Sequence, residues 1–299
     1  MKTFRVVRPG LFTTVQDQGR TRASRWGVPV SGCADPLSAS AANAVAGNGA
    51  AAALLEATLG PIEIEALVET ALGIAGAASV SVNGEPANAR ETVYARRGDR
   101  VVVGAPSEGF RVYVAFAGGI DVPLVLGSRS TLASAGFGGF RGRKLSAGDE
   151  LETFEASLPE RRALPSSMDG PIPDEVRVLP GPQRDRFSES SLRRFFDGTF
   201  RVSSRSDRRG LRLEGEGAPP SPGEIAPEGV VFGAVQVPPG GEPIVLMPDG
   251  PVTGGYPKIA VVIRADLPVL GQSRPGRMLR FRDVAREEAI EAWKTRCGA

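Results

Sequence analysis

The densest group of reactive side chains lies late in the chain, where Asp249 is followed by Thr253-Gly254-Gly255-Tyr256-Pro257-Lys258. Adjacent glycines let backbone N–H groups approach a ligand oxygen, and Tyr256 and Lys258 add donors, so the loop reads as an anion- or amide-binding element. A tight turn with Tyr256 packed on Pro257 explains the same residues without a ligand. Asp207-Arg208, just before Gly210, offers a guanidinium fork for a carboxylate or phosphate oxygen, oriented by a nearby acid. A surface ion pair at a strand end is the alternative, worth about 0–1 kcal/mol. Gln236 sits inside the nearly all-apolar run Val230 to Val237. A buried amide without partners costs about 1–3 kcal/mol, so Gln236 either bonds backbone or points into a pocket.

Three further candidates lie in the first half. Asn43 falls on an expected helix. Glu56 is an acid within the apolar run Leu54-Leu55-Glu56. Buried, it needs a raised pKa or a partner such as Arg129; facing solvent, it is an ordinary strand residue. Asp35 reads as a helix cap.

What is missing narrows the chemistry. The chain has 0 histidines, which excludes a Ser-His-Asp or Cys-His device and any imidazole metal site. General acid or base work falls to Asp, Glu, Lys, Tyr or Cys. The 2 cysteines, Cys33 and Cys297, form no C-x-x-C, so a zinc ribbon, an iron–sulfur cluster and a disulfide scaffold are not expected. There is no G-x-x-x-x-G-K-[ST] phosphate loop and no G-x-S-x-G elbow. The Gly136–Gly142 run ends in Arg141-Gly142 and fails G-x-G-x-x-G; it reads first as a hairpin crossing and second as a phosphate cradle. A net charge of +2 argues against an electrostatic nucleic-acid binder. No long apolar stretch occurs, and Met1–Gly10 lacks an apolar signal core, so a soluble cytoplasmic protein is expected.

The elements that must position these groups are short strands. With 38 Gly and 25 Pro among 299 residues, turns dominate and the chain reads as mostly β with a few helices. Asn83-Gly84 is a two-residue hairpin signal. A Gly turn precedes a returning strand at Gly98, Gly148 and Gly276. Helices are expected over Pro36–Ala46, Ser188–Phe196 and Asp283–Arg296. Residues 155–174 are polar, Pro-rich and aperiodic, a linker between domains 1–154 and 175–299.

Several stretches in fixed order carry a resemblance. They are Gly10-Leu11-Phe12-Thr13-Thr14-Val15-Gln16-Asp17-Gln18-Gly19-Arg20, Gly27-Val28-Pro29-Val30-Ser31-Gly32 with Asp35-Pro36, and Ala117-Gly118-Gly119-Ile120-Asp121-Val122-Pro123 with Leu126-Gly127-Ser128-Arg129-Ser130-Thr131. Ser206-Asp207-Arg208, Gly233-Ala234-Val235-Gln236-Val237-Pro238 and Thr253-Gly254-Gly255-Tyr256-Pro257-Lys258 complete the set. Together they resemble the biotin-dependent carboxyltransferase family, over roughly residues 4–282. Its members include the C subunit of 5-oxoprolinase and allophanate hydrolase subunit 2.

The resemblance implies a cyclophilin-like β-barrel architecture in two domains. It also implies ATP-dependent opening of 5-oxoproline to glutamate, with ATP as co-substrate of a complex. The implied heteromeric partners are a protein like the B subunit of 5-oxoprolinase and a lactam-handling protein like its A subunit. In that frame Asp207, Arg208, Asp249 and Lys258 are the catalytic candidates. Gln236, Thr253, Gly254, Gly255, Tyr256, Asn43, Glu56 and Arg129 are the substrate-binding ones. Two alternatives stand beside it. One is a non-catalytic regulator docked on a kinase inhibitor of the B-subunit type. The other is a urea-carboxylase-like carboxyltransferase half using biotin carried by another chain. Neither Lys144 nor Lys258 is flanked by Met, so no covalently attached biotin is expected here. The sequence departs from the family at Gly250-Pro251-Val252, where a polar Arg-Gln-Thr run is usual, and at Arg209, where Met is usual.

Overall fold

The computed structural model describes residues 2–168 and 170–297. They fall into two compact units, one of residues up to Arg22 plus Val30–Pro171, the other of Ala23–Pro29 plus the chain from Ile172 onward.

The first unit is two antiparallel sheets and a helix. One sheet runs in the order Ile120–Asp121, Glu150–Thr153, Lys2–Arg8, Ile62–Ala66, Arg100–Val103, Val80–Val82, Glu85–Ala87. The other runs Phe12–Gln16, Leu54–Thr58, Glu108–Phe116, Thr70–Ala77, Val93–Ala95. Ile62, Ile64 and Ala66 alternate inward, and Phe4 of one sheet stacks on Phe116 of the other at 3.9 Å, so the core lies between the sheets. Leu54–Thr58 is buried on both faces. The reason is the helix Pro36–Val45, whose Ala39 and Ala42 join Leu54, Ala75 and Tyr113 in a second apolar layer. Asp35 caps that helix by accepting from Ser38 N at 3.0 Å, with Pro36 in its first turn. The helix lies almost on the sheet backbone: a Cβ on Gly73 would come within 2.0 Å of Ala42 O.

The second unit closes into a seven-stranded barrel. Its order is Glu175–Pro180, Lys258–Val262, Ala234–Gln236, Ile244–Leu246, Gly210–Glu214, Phe200–Val202, Met278–Asp283, returning to the first strand. The closing pair is parallel and the others antiparallel. Closure removes the sheet edges. Helix Glu189–Asp197, capped by Ser188, sends Phe195 against Phe200 and Phe281, and helix Arg286–Cys297 lays Trp293 and Ala289 on Ile263 and Val284.

The mostly-β expectation with a barrel holds. Asn83 (φ +53) and Gly84 (φ +89) form the expected hairpin, and Gly98, Gly148 and Gly276 take φ of +91, +87 and +87 before their strands. Val230–Val237 is not one strand. Gly233 (φ +89) breaks it, leaving Ala234–Gln236 in the barrel and Val231 60% exposed. The segment expected as a linker is tied to the first unit over part of its length, with Thr92 N donating to Arg162 O at 2.9 Å and Leu164 N to Arg90 O at 2.7 Å. Among the described residues no helix is long and apolar enough to cross a membrane.

Candidate functional site

In the second unit the structure sorts the candidates into two groups. The first begins with a turn. Asp207 is exposed, and its Oδ1 accepts from Arg209 N (2.7 Å) and Gly210 N (3.2 Å), which fixes the backbone at the start of Gly210–Glu214. That turn aims Arg208 inward, to 9% exposure. Its Nε and Nη2 donate to Asp249 Oδ2 (2.8 Å) and Oδ1 (3.1 Å), and Asp249 N donates back to Arg208 O (2.9 Å). The acid that orients Arg208 is therefore Asp249, while the Asp207 carboxylate serves the turn. A bidentate fork of this kind holds a guanidinium plane in one orientation.

The second group surrounds Lys258. Register places Lys258 opposite Gln236, and Gln236 opposite Ile244. The Lys258 side chain is 4% exposed and its Nζ lies 2.5 Å from Glu228 Oε1. Glu228 also accepts from Gln183 Nε2 at 2.8 Å, while Gln183 Oε1 accepts from Lys258 N at 3.1 Å. The hydrogen bond from Lys258, then that from Gln183, holds the Glu228 carboxyl below its ordinary value. Gln236 is 4% exposed and its amide reaches Tyr256 O at 3.5 Å. Gly254 pairs with Glu228, and a Cβ there would stand 2.5 Å from Gln236 Nε2. Thr253 pairs with Gly229, and Gly255 O accepts from Ile225 N at 2.9 Å. Gly254 thus makes room for a side chain. Gln236 and Lys258 lie at the Ile244 end of Ile244–Leu246, and Arg208–Asp249 beyond the Leu246 end, where Gly210 pairs.

The first-unit candidates have structural employment. Glu56 is 1% exposed. Its Oε2 accepts from Tyr113 Oη (2.9 Å) and Ala34 N (2.8 Å), and its Oε1 lies 3.3 Å from Arg111 Nε. Tyr113 Oη in turn accepts from Asp35 N at 2.8 Å. The expected partner Arg129 is replaced by Arg111, which projects from the adjacent Glu108–Phe116 strand. Burial, then the Glu56 charge, pushes the Tyr113 phenol well above its ordinary value. Cys33, 6% exposed, packs in the same layer. Asn43 Nδ2 donates to Ala52 O (2.9 Å) and its Oδ1 accepts from Asn48 (3.0 Å). The Arg129 guanidinium lies over Phe154, 4.8 Å from the ring centre. Its amide joins a network that sequence reasoning missed. Asp17 accepts from Gly19 N (2.8 Å), Ser128 Oγ (2.6 Å), Ser130 Oγ (2.5 Å) and Arg129 N (2.5 Å).

Among the described residues no cluster of His, Cys, Asp or Glu could hold a metal ion. Residues 26–283 match the family described as carboxyltransferase domain, subdomain A and B. The chain belongs to that family. The carboxyltransferase match is supported by relatives. The C subunit of 5-oxoprolinase from Escherichia coli is 37% identical over 96% of this chain and 93% of its own length. Urea amidolyase of Lachancea kluyveri is 36% identical over 96% of this chain but 17% of its own length. The solved urea carboxylase of Kluyveromyces lactis superposes with a TM-score of 0.91 at 33% identity, over 100% of this chain and 29% of that one. Another solved relative superposes with a TM-score of 0.84 at 36% identity, and this chain spans 55% of its length.

Of the residues singled out from the sequence, the structure joins Arg208 to Asp249 and sets Gln236 opposite Lys258; Glu228 and Gln183, which meet Lys258, were not among them. Gln183 carried a weak signal, a scarce amide in Gly181-Pro182-Gln183 directly after a strand. Glu228 sits in a Pro- and Gly-rich stretch and carried none.

Proposed function

We propose that this chain is the C subunit of an ATP-dependent 5-oxoprolinase, a cytoplasmic heteromer that opens 5-oxoproline to glutamate with proteins of the A-subunit and B-subunit types. The observation that carries this reading is the end-to-end match to the 5-oxoprolinase C subunit of Escherichia coli. The second unit supplies polar groups suited to a small lactam acid. Arg208, with its fork fixed by Asp249, is the receptor for the substrate carboxylate. Gln236, beside Gly254, is the donor and acceptor for an amide edge. Lys258 is a cation whose access is set by Glu228. Preorganised donors of this kind stabilise charge as an amide opens. The chain carries no phosphate-loop motif, and in this reading ATP binds on a partner.

The test is reconstitution of this chain with its two partners and measurement of glutamate from 5-oxoproline and ATP. Activity that persists when this chain is omitted refutes the reading.

The superposition on urea carboxylase over the whole chain favours a second reading, a carboxyltransferase half that receives carboxyl groups from biotin on another protein. Carboxylation of urea by a mixture of this chain, its partner and a biotinylated carrier, with no glutamate formed from 5-oxoproline, selects it.

A further inference from the structure

The Gly136–Gly142 run, formed wholly within the first unit, lines a groove of about 460 Å³. We infer that this groove is a binding site for a small organic acid, with a carboxylate held by backbone amides 138–141 and an apolar or planar body laid along the opposite wall.

The backbone is the first argument. Gly138 and Gly139 take φ of +71 and +51, Arg141 and Gly142 +58 and +68, and Phe140 between them is not left-handed. The hand changes from Gly139 to Phe140 and again from Phe140 to Arg141, and such changes between neighbours turn N–H groups to one side and make an anion-binding concavity. The turn is closed by Gly142 N donating to Gly138 O at 2.8 Å. Among the described residues no hydrogen bond has the amide of Gly138, Gly139, Phe140 or Arg141 as its donor. Gly138 and Gly139 are nonetheless buried, and buried backbone donors are almost always paired.

The loop has no freedom to be otherwise. A Cβ on Gly138 would stand 2.1 Å from Ser130 O, and one on Gly139 1.9 Å from Thr131 Oγ1. Arg141 holds a left-handed conformation without being glycine, a strained choice, and its guanidinium lies over the Phe140 ring, 5.1 Å from the ring centre, at the lining of the groove.

Chemistry of the walls selects the ligand. Val122, Pro123, Val125, Phe137 and Phe140 give the groove its apolar lining. A cavity of several hundred cubic ångströms with apolar walls and few polar groups is typical of small-molecule sites. The bordering carboxylates are already matched, Glu150 by Arg5 and Glu152 by Lys2. That leaves Arg141 against Asp121 and a weak net field. A singly charged carboxylate suits such a field better than a phosphate dianion.

The test is an amide-detected NMR titration of the full chain with sodium benzoate, acetate and inorganic phosphate. Benzoate is expected to move the Gly138, Gly139, Phe140 and Arg141 amide signals saturably, at lower concentration than acetate or phosphate. Arg141→Gly keeps the left-handed backbone and removes the charge; it should weaken benzoate by roughly tenfold, the worth of one charge-assisted contact. Val125→Trp fills the groove and should abolish the shifts. Shifts absent from these amides in wild type, or unchanged in Val125→Trp, overturn the site. Phosphate saturating before benzoate overturns the organic-acid assignment. Glutamate formation by the reconstituted complex is read separately and does not bear on this result.

Discussion

Arg208 and Asp249, 41 residues apart in the chain, meet in a two-point hydrogen-bonded pair with both side chains at least nine-tenths buried. Removing one charge strands the other away from water. Asp249→Ala is expected to destabilise the protein by about 3–5 kcal/mol, read as a lowered denaturant midpoint. Arg208→Lys keeps the charge and loses the fork. In the reconstituted complex it should lower kcat/KM about 10- to 100-fold with a smaller loss of stability.

Tyr113→Phe deletes the donor to Glu56 and the acceptor for Asp35 N. The expected cost is about 1–3 kcal/mol in urea unfolding at neutral pH. The phenol also sets an alkaline limit. Its folded pKa lies above the ordinary 10.0, so its contribution is full below that value and declines as pH rises through the folded one. Wild type should lose stability above about pH 10 more steeply than the variant.

Glu228 has a lowered carboxyl pKa because Lys258 and Gln183 donate to it. Its contribution is present above the unfolded value of 4.5 and fades as pH falls through the folded one. The amide of Val230, bonded to Val252 O at 3.1 Å beside the Glu228–Gly254 pairing, is the local reporter. The protection factor there, the exchange rate relative to that of an unstructured amide at the same pH, should fall on acidification in wild type. In Glu228→Gln it should be low already at pH 7 and nearly flat with pH.

A methyl group at position 254 would meet the Gln236 amide at 2.5 Å. Gly254→Ala is therefore expected to destabilise the barrel by about 1–3 kcal/mol through overpacking. Adding Gln236→Ala should recover most of that loss in thermal melts. Equal and additive losses in the double variant would show that the two side chains do not compete for the same space.

Local chemistry is what made parts of this fold legible. Asp35-Pro36 announces a helix start because a cap and a fixed φ act within one turn, and Asn83-Gly84 announces a hairpin because only such residues accept left-handed φ cheaply. Thr70–Ala77 was invisible for a physical reason. It is buried on both faces under the helix, so its small residues show no alternation, and Gly73 serves close approach to Ala42. The candidate site divides the same way. Arg208 and Lys258 stood out by type and setting. Their actual partners, Asp249 and Glu228, are set by pairings between segments far apart in the chain, Gly210 with Leu246 and Glu228 with Gly254. Glu56 found Arg111 across the neighbouring strand, a pairing set by register. The Asp17 network ties two of the family-like motifs, Val15-Gln16-Asp17-Gln18-Gly19-Arg20 and Leu126-Gly127-Ser128-Arg129-Ser130-Thr131, into one knot, which gives a structural reason for both.

The placement of Cys33 has a consequence for watching this molecule move. The sulfur is sealed between the helix and the sheet, beside Ala39, Ala42 and Tyr113. A thiol reagent reaches it only when that seam parts. At low reagent concentration the alkylation rate reports how often the seam stands open, and at high concentration it reports how fast it opens. Mass spectrometry of the Cys33 peptide is thus a stopwatch for breathing of the first unit, needing no added probe and no substitution in the seam itself.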